Sequence, residues 1–200
     1  MLDNIEENPN MDDSTREEFI EEISKQVNWI SSLVISLLKL AKFDAGAIVM
    51  KDEKINLNKL IDNVLDNIAI LIDVKNINVK KKIDSDIYIN ADYNWQLEAL
   101  TNIIKNAIEH SKQGSTIYIN VENNLVFTRL RIKDDGEGIN KKDIKHIFER
   151  FYKGEGSAES SIGIGLSLAK TIIEKENGTI KVQSEKGRGT EFIIEYFKNR

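Results

Sequence analysis

Residues 102–111 read NIIKNAIEHS, the C-terminal part of a helical pattern that runs from about Tyr93 to Ser111. Leu97, Leu100, Ile104, Ala107 and Ile108 recur at helical spacing and define a stripe that should bury against a sheet. Asn102 and Asn106 stack one turn apart on the opposite side, with Glu109 and His110 one turn further on. Asn competes for its own backbone and is a mediocre helix former, so two at i, i+4 need a reason. A solvated face is one. The other is chemical: an amide oxygen offers a hard cation such as Mg²⁺ a ligand without adding charge.

Working outward, the segment from Ser14 to about Phe43 is also helical. Ile20, Ile23, Val27, Ile30, Val34, Leu37 and Ala41 are spaced alternately by three and four residues, a heptad seam. Trp29, Leu33, Leu38 and Leu40 widen the apolar surface to that of a bundle, which predicts self-association or packing on the chain's own globular part. Asp44-Ala45-Gly46 ends this helix, dividing the chain into a helical region (1–46) and a second domain (47–200). Helical spacing returns at Leu60, Ile61, Val64, Leu65, Ile68 and Leu71. Strands are expected at 77–83, 87–91, 115–121 and 125–133, the last two joined by a turn at Glu122-Asn123-Asn124. A short helix at about 141–148, a Gly/Ser-rich loop at 154–161, a helix at about 163–176 and a final hairpin around Gly187-Arg188-Gly189 complete the domain. Helices and antiparallel hairpins on one sheet make it α+β.

Composition narrows the chemistry. With no cysteine among 200 residues there is no disulfide and no thiolate nucleophile, and two histidines make a zinc site a poor fit. The net charge of −5 gives no nucleic-acid footprint, and Lys80-Lys81-Lys82 reads as a solvated strand face. No apolar run approaches the roughly 20 residues of a membrane span, and the acidic start has no signal-peptide character. A soluble, cytoplasmic chain is expected.

Three further stretches could carry chemistry. In DDGEGI, Asp134 to Ile139, Gly136 and Gly138 let backbone approach a ligand and leave the Asp134 carboxylate to accept from an exocyclic amine such as that of adenine. The same pattern also suits a plain Asx turn. In SSIGIGLSLAK (160–170), Gly163 and Gly165 open a helix whose amides and dipole favour a phosphate. In IFERFYKG (147–154), Phe148, Phe151 and Tyr152 could anchor the following loop, with Arg150 and Lys153 placed to reach a phosphate; the aromatics would equally suit a core.

Taken in order, Asn102/Asn106, Asp134-x-Gly136-x-Gly138, Phe148/Phe151, Gly163-x-Gly165-Leu166 and Gly187-x-Gly189-Thr190 resemble the N, first glycine, F and second glycine boxes of sensor histidine kinases. The resemblance covers about residues 14–198. It implies a Bergerat fold: an α/β sandwich with a mixed, mostly antiparallel sheet covered by about three helices, preceded by a long dimerisation helix. It implies ATP and Mg²⁺ as cofactors, with Asn102 and Asn106 holding the metal. The implied nucleotide-binding set is Asn102, Lys105, Asn106, His110, Asp134, Gly136, Gly138, Ile139, Arg150, Lys153, Ile162, Gly163, Ile164, Gly165, Leu166 and Thr190. Asp134 would bind the adenine amine, His110 would lie beside the base, and about 152–162 would form the ATP lid. The helix of residues 14–43 would be the second helix of a dimerisation and phosphotransfer hairpin, giving a homodimer.

Three departures from the family pattern bear on function. Glu109 stands where many members carry a basic residue, and Ser161 replaces a glycine at the lid hinge. Neither His110 nor His146 lies in the acceptor motif H-[ED]-x-x-[TN]-P. The expectation is an ATP-binding catalytic portion whose acceptor histidine lay just upstream. It would pass the γ-phosphoryl group to that histidine and onward to a response regulator; most family members are membrane-bound, so the parent protein could be anchored. A nucleotide-binding, dimerising regulatory module without kinase activity is the alternative. Asn102 occupies the place of the water-activating Glu of gyrase- and MutL-type relatives, and an amide cannot be that base, so efficient ATP hydrolysis is not expected.

Overall fold

The computed structural model describes residues 12–84, 86–154 and 161–198, and divides between Ala45 and Gly46 into two compact units. The first is a single helix, α1 (Asp13–Asp44). Asp12 caps it, its Oδ1 accepting from the Thr15 N–H at 2.8 Å. Along the heptad seam Ile20, Val27, Ile30 and Val34 are each about half exposed, so the apolar stripe is open in the monomer.

The second unit begins with β1 (Glu53–Asn56), α2 (Leu57–Asn67) and α3 (Ala69–Val74). The helical spacing expected around 60–71 is thus split, because Ile68 leaves helical geometry with φ −116° and ψ 16°. Next come β2 (Asn78–Lys82), β3 (Tyr88–Ala91), α4 (Tyr93–Glu109), β4 (Thr116–Asn123) and β5 (Phe127–Asp134). The chain continues with α5 (Gly165–Lys175), β6 (Gly178–Glu185) and β7 (Gly189–Phe197). Five strands form one sheet in the order β2-β4-β5-β7-β6, with only the β2–β4 pair parallel.

The expectation of a single sheet was wrong: β1 and β3 pair antiparallel as a separate two-stranded ladder. β1 was not foreseen, since four residues with only Ile55 buried are too few for alternation to show. The helix expected at about 141–148 is instead a run of turns. The Asp143 and Ile144 N–H groups both bond the Asn140 carbonyl, and those of His146 and Ile147 both bond that of Asp143. The bonds converge on two carbonyls instead of advancing residue by residue. Buried Asp143 also accepts from the Tyr152 hydroxyl at 2.8 Å. The β4–β5 turn falls at 124–126 rather than 122–124, because Asn124 Oδ1 accepts from the Val126 and Phe127 N–H groups at 2.8 and 2.9 Å.

α4 lies on the sheet, with Ala99, Leu100, Ile103, Ile104, Ala107 and Ile108 at most 1% exposed. Ile103 joins the expected stripe, and Leu97, in the first turns of the helix, is only half-buried. Lys80, Lys81 and Lys82 are exposed on the edge strand β2, as a solvated strand face should be.

Beneath the start of α4 is a buried polar chain. The Tyr196 hydroxyl donates to Gln96 Oε1 at 2.6 Å, and Gln96 Nε2 donates to Glu176. Glu176 also accepts from the Asp92 N–H at 2.5 Å. Burial raises the Glu176 carboxyl pKa, against the lowering pull of those two bonds, and burial pushes the Tyr196 phenol far above its usual range. Gln96→Leu conserves volume but strips a partner from both neighbours. It should cost about 1–3 kcal/mol for each group left unsatisfied, seen as a lower urea midpoint than that of the parent.

Candidate functional site

The DxGxG turn sits where β5, the end of α4 and the β6–β7 hairpin converge. Asp134 is 2% exposed, and its Oδ1 accepts from the N–H groups of Gly136 at 2.8 Å and Thr190 at 3.1 Å. Among the described residues no other hydrogen bond reaches this carboxylate and no buried side-chain oxygen lacks a partner, so Oδ2 opens to solvent. That oxygen is an acceptor with nothing to accept. Burial raises the Asp134 pKa, opposed by the two N–H donors and by nearby His110.

The glycines here are required by close approach. A Cβ on Gly136 would overlap the His110 carbonyl oxygen, and one on Gly138 (φ +66°) would overlap that of Glu185. The Glu137 N–H donates to the His110 carbonyl at 3.3 Å, and the Glu137 carbonyl accepts from Gly187 at 2.6 Å. The Ile139 N–H donates to Ser184 Oγ at 2.8 Å. The turn is therefore pinned on both sides, and α4 places half-buried His110 directly beside it.

Asn102 and Asn106 are half-buried rather than solvated. Neither side-chain amide makes a hydrogen bond among the described residues, and neither is sealed from solvent. Asn102 Oδ1 lies 3.0 Å from the position a Cβ on Gly165 would take, so the first asparagine abuts the start of α5. Ile164 caps α5 without a side-chain bond, leaving the first-turn N–H groups for another partner. Leu166 and Ile162 are half-buried and Ile164 is buried. The structure thus brings Asn102, Gly165, Asp134, Gly136, His110 and Thr190 onto one side of the sheet. Lys105 is exposed and pairs with Glu109 at 3.6 Å, a surface pair of little energetic weight. Glu109, the departure noted above, is the partner of that lysine.

Arg150 and Lys153 are exposed on the segment entering the loop. The aromatics divide. Phe148 packs edge-on against Phe192 with centroids 6.5 Å apart, a core role, whereas Phe151 is 56% exposed at φ +66°. The Phe151 N–H donates to the Gly163 carbonyl at 2.8 Å, closing the base of the expected lid. Residues 155–160 of that lid lie outside the described residues. Sequence reasoning missed Ser184, whose hydroxyl bonds three residues in two segments of the site, Ile139 and Gly189-Thr190; an isolated Ser in a strand carries no signal. An open cleft of about 410 Å³ lies at the far end of β5, lined by Lys54, Tyr88, Thr128, Glu176 and Tyr196 among others. None of the motif residues lines it.

Comparison with known proteins fits this geometry. The sequence profile of the "Histidine kinase-, DNA gyrase B-, and HSP90-like ATPase" family matches residues 91–200. The heme sensor protein HssS of Staphylococcus saprophyticus is 36% identical over 186 residues, covering 93% of this chain and 40% of that protein. The chain thus spans less than half the length of this curated relative. The histidine kinase AdeS of Acinetobacter baumannii shares the fold, with a TM-score of 0.83 at 23% identity over all of this chain and 92% of that one. The histidine kinase ThkA, solved with the response regulator protein TrrA, aligns at TM-score 0.78 and 25% identity over 96% of this chain and 54% of that one. These relatives favour a catalytic portion over a purely regulatory module. The match across more than half its length, with the motif residues gathered at one end of the sheet, makes this chain a member of the histidine kinase-, DNA gyrase B- and HSP90-like ATPase family.

Proposed function

We propose that the site around Asp134 binds Mg-ATP for transfer of its γ-phosphoryl group to a histidine presented by a helical hairpin. The observation that supports this best is the unsatisfied Asp134 Oδ2 in a turn pinned from both sides. It accepts from the adenine 6-amino group, with His110 beside the base. The N–H groups at the start of α5 and the Gly163–Gly165 backbone face the phosphates. Asn102 and Asn106 would hold Mg²⁺ through their amide oxygens; among the described residues no three His, Asp or Glu side chains are grouped to bind a metal, so the remaining ligands would be phosphate oxygens. When bound, the ion supplies neutralisation of phosphate charge.

In the transfer, an acceptor histidine nitrogen bonds to the γ-phosphorus while its bond to the β–γ bridging oxygen breaks, releasing ADP. This chain's residues position and shield; the Asn102 amide cannot serve as a general base toward water. An aspartate on a receiver domain would take the phosphoryl group next, in line with the ThkA–TrrA complex. Two copies would pair through the exposed seam of α1, in the helical region 1–46 that precedes the catalytic domain 47–200.

Calorimetric titration with ATP, with and without Mg²⁺, tests binding. Incubation with γ-labelled ATP and a separately supplied acceptor hairpin tests transfer. Label should appear on the hairpin and not as free phosphate. Release of free phosphate without a labelled hairpin would exclude the kinase reading.

A further inference from the structure

Ser184 Oγ, on β6, ties the Ile139 segment to the start of β7 in the proposed adenine site. It donates to the Gly189 carbonyl at 2.8 Å, accepts from the Ile139 N–H at 2.8 Å and lies 2.9 Å from Thr190 Oγ1. A hydroxyl has one proton and two lone pairs. With its proton on Gly189, Ser184 can meet Thr190 only as acceptor, so the Thr190 hydroxyl must donate. The Thr190 oxygen then keeps only lone pairs for anything else, while its backbone N–H is held by Asp134 Oδ1 at 3.1 Å. Thr190 faces the same side of the sheet as Asp134, the side on which Phe192 and Ile132 are buried.

We propose that Ser184 is a positioning residue that sets base specificity: it orients the Thr190 proton away from the ligand, so that Asp134 Oδ2 and Thr190 Oγ1 together present acceptors alone. Such an edge accepts the 6-amino group of adenine and repels the 6-oxo group of hypoxanthine. The inference rests on the adenine-nucleotide reading above and extends it to a residue outside the motif set. Losing the Ser184 hydroxyl frees the Thr190 proton to turn toward a 6-oxo oxygen, and relaxes discrimination more than it weakens the fold.

The test measures Kd for ADP and for inosine diphosphate in the parent, Ser184→Ala and Ser184→Thr. The parent should prefer ADP. Ser184→Ala should narrow that preference at least about tenfold, and Ser184→Thr, which restores a hydroxyl, should keep it. A purely structural role for Ser184 would weaken both nucleotides by one factor and leave the ratio unchanged, overturning the proposal. Equal affinity of the parent for both nucleotides would overturn it too. Thr190→Val, which removes the oriented hydroxyl itself, gives the same reading if Ser184→Ala does not fold: an unchanged preference there also overturns it. Failure of the parent to bind either nucleotide would sink the ATP-site reading itself, a distinguishable result.

Discussion

Asp134→Asn is expected to lower ATP affinity by at least about 100-fold, the scale of losing a hydrogen bond to a charged group and facing two donors, without lowering thermal stability. The Gly136 and Thr190 N–H groups both point at Oδ1. An asparagine must therefore turn its oxygen to them, which puts its NH₂ in the place of Oδ2. The open acceptor becomes a donor facing the adenine amine. Stability should move the other way. Burial raises the Asp134 pKa in the folded protein, so the charged form costs stability at neutral pH. For an acid with a raised folded pKa, that cost is present above the folded value and shrinks as the pH falls toward the unfolded one. The neutral amide removes it. The variant should thus melt at or above the parent at pH 7, and the gap should close as the pH is lowered. Melting curves at several pH values, beside the ATP titration, check both halves; parent-like ATP binding would show that Asp134 does not read the base.

Gly189→Ala should damage the fold severely, as a methyl group on Gly138 would. Gly189 has φ +88°, and a Cβ there would overlap the Asp134 carbonyl oxygen while lying 2.9 Å from its carbon and 3.0 Å from Asp135 Cα. Backbone strain of about 1–3 kcal/mol and overpacking of about 1–3 kcal/mol add to roughly 4 kcal/mol. For a unit of this size that is a fall of roughly 10 °C in the melting midpoint. Gly187 provides the control: it has φ +83° but nothing within 4 Å of its Cβ position, so Gly187→Ala should cost only the strain, roughly 1–2 kcal/mol. If the two variants melted together, crowding against Asp134 would play no part.

What could be read beforehand follows the reach of each signal. Helices α1, α4 and α5 and most strands follow from periodicities inside a single segment, and their positions hold to within two or three residues. Asn102/Asn106 and the DxGxG turn stood out because their residue types are unusual for their local setting. Three features escaped because their causes are not local. The β1 strand exists only because β3 lies opposite it. The turns at 141–148 accompany the anchoring of Asp143 by Tyr152, nine residues on. Ser184 matters through Ile139, 45 residues earlier in the chain. No spacing rule applied to one segment reaches any of them.

The strand order has a consequence for biosynthesis. β7 is made after β6 yet lies between β5 and β6. As the chain leaves the ribosome, the β6 segment has no place at the edge of β5 and must wait as an unpaired ribbon until residues 189–197 emerge. Thr190 arrives on that same strand, so the proposed nucleotide site is completed in the step that closes the sheet. A nascent chain short of this point would have neither a continuous sheet nor a finished pocket, and ATP would favour only chains that had inserted β7.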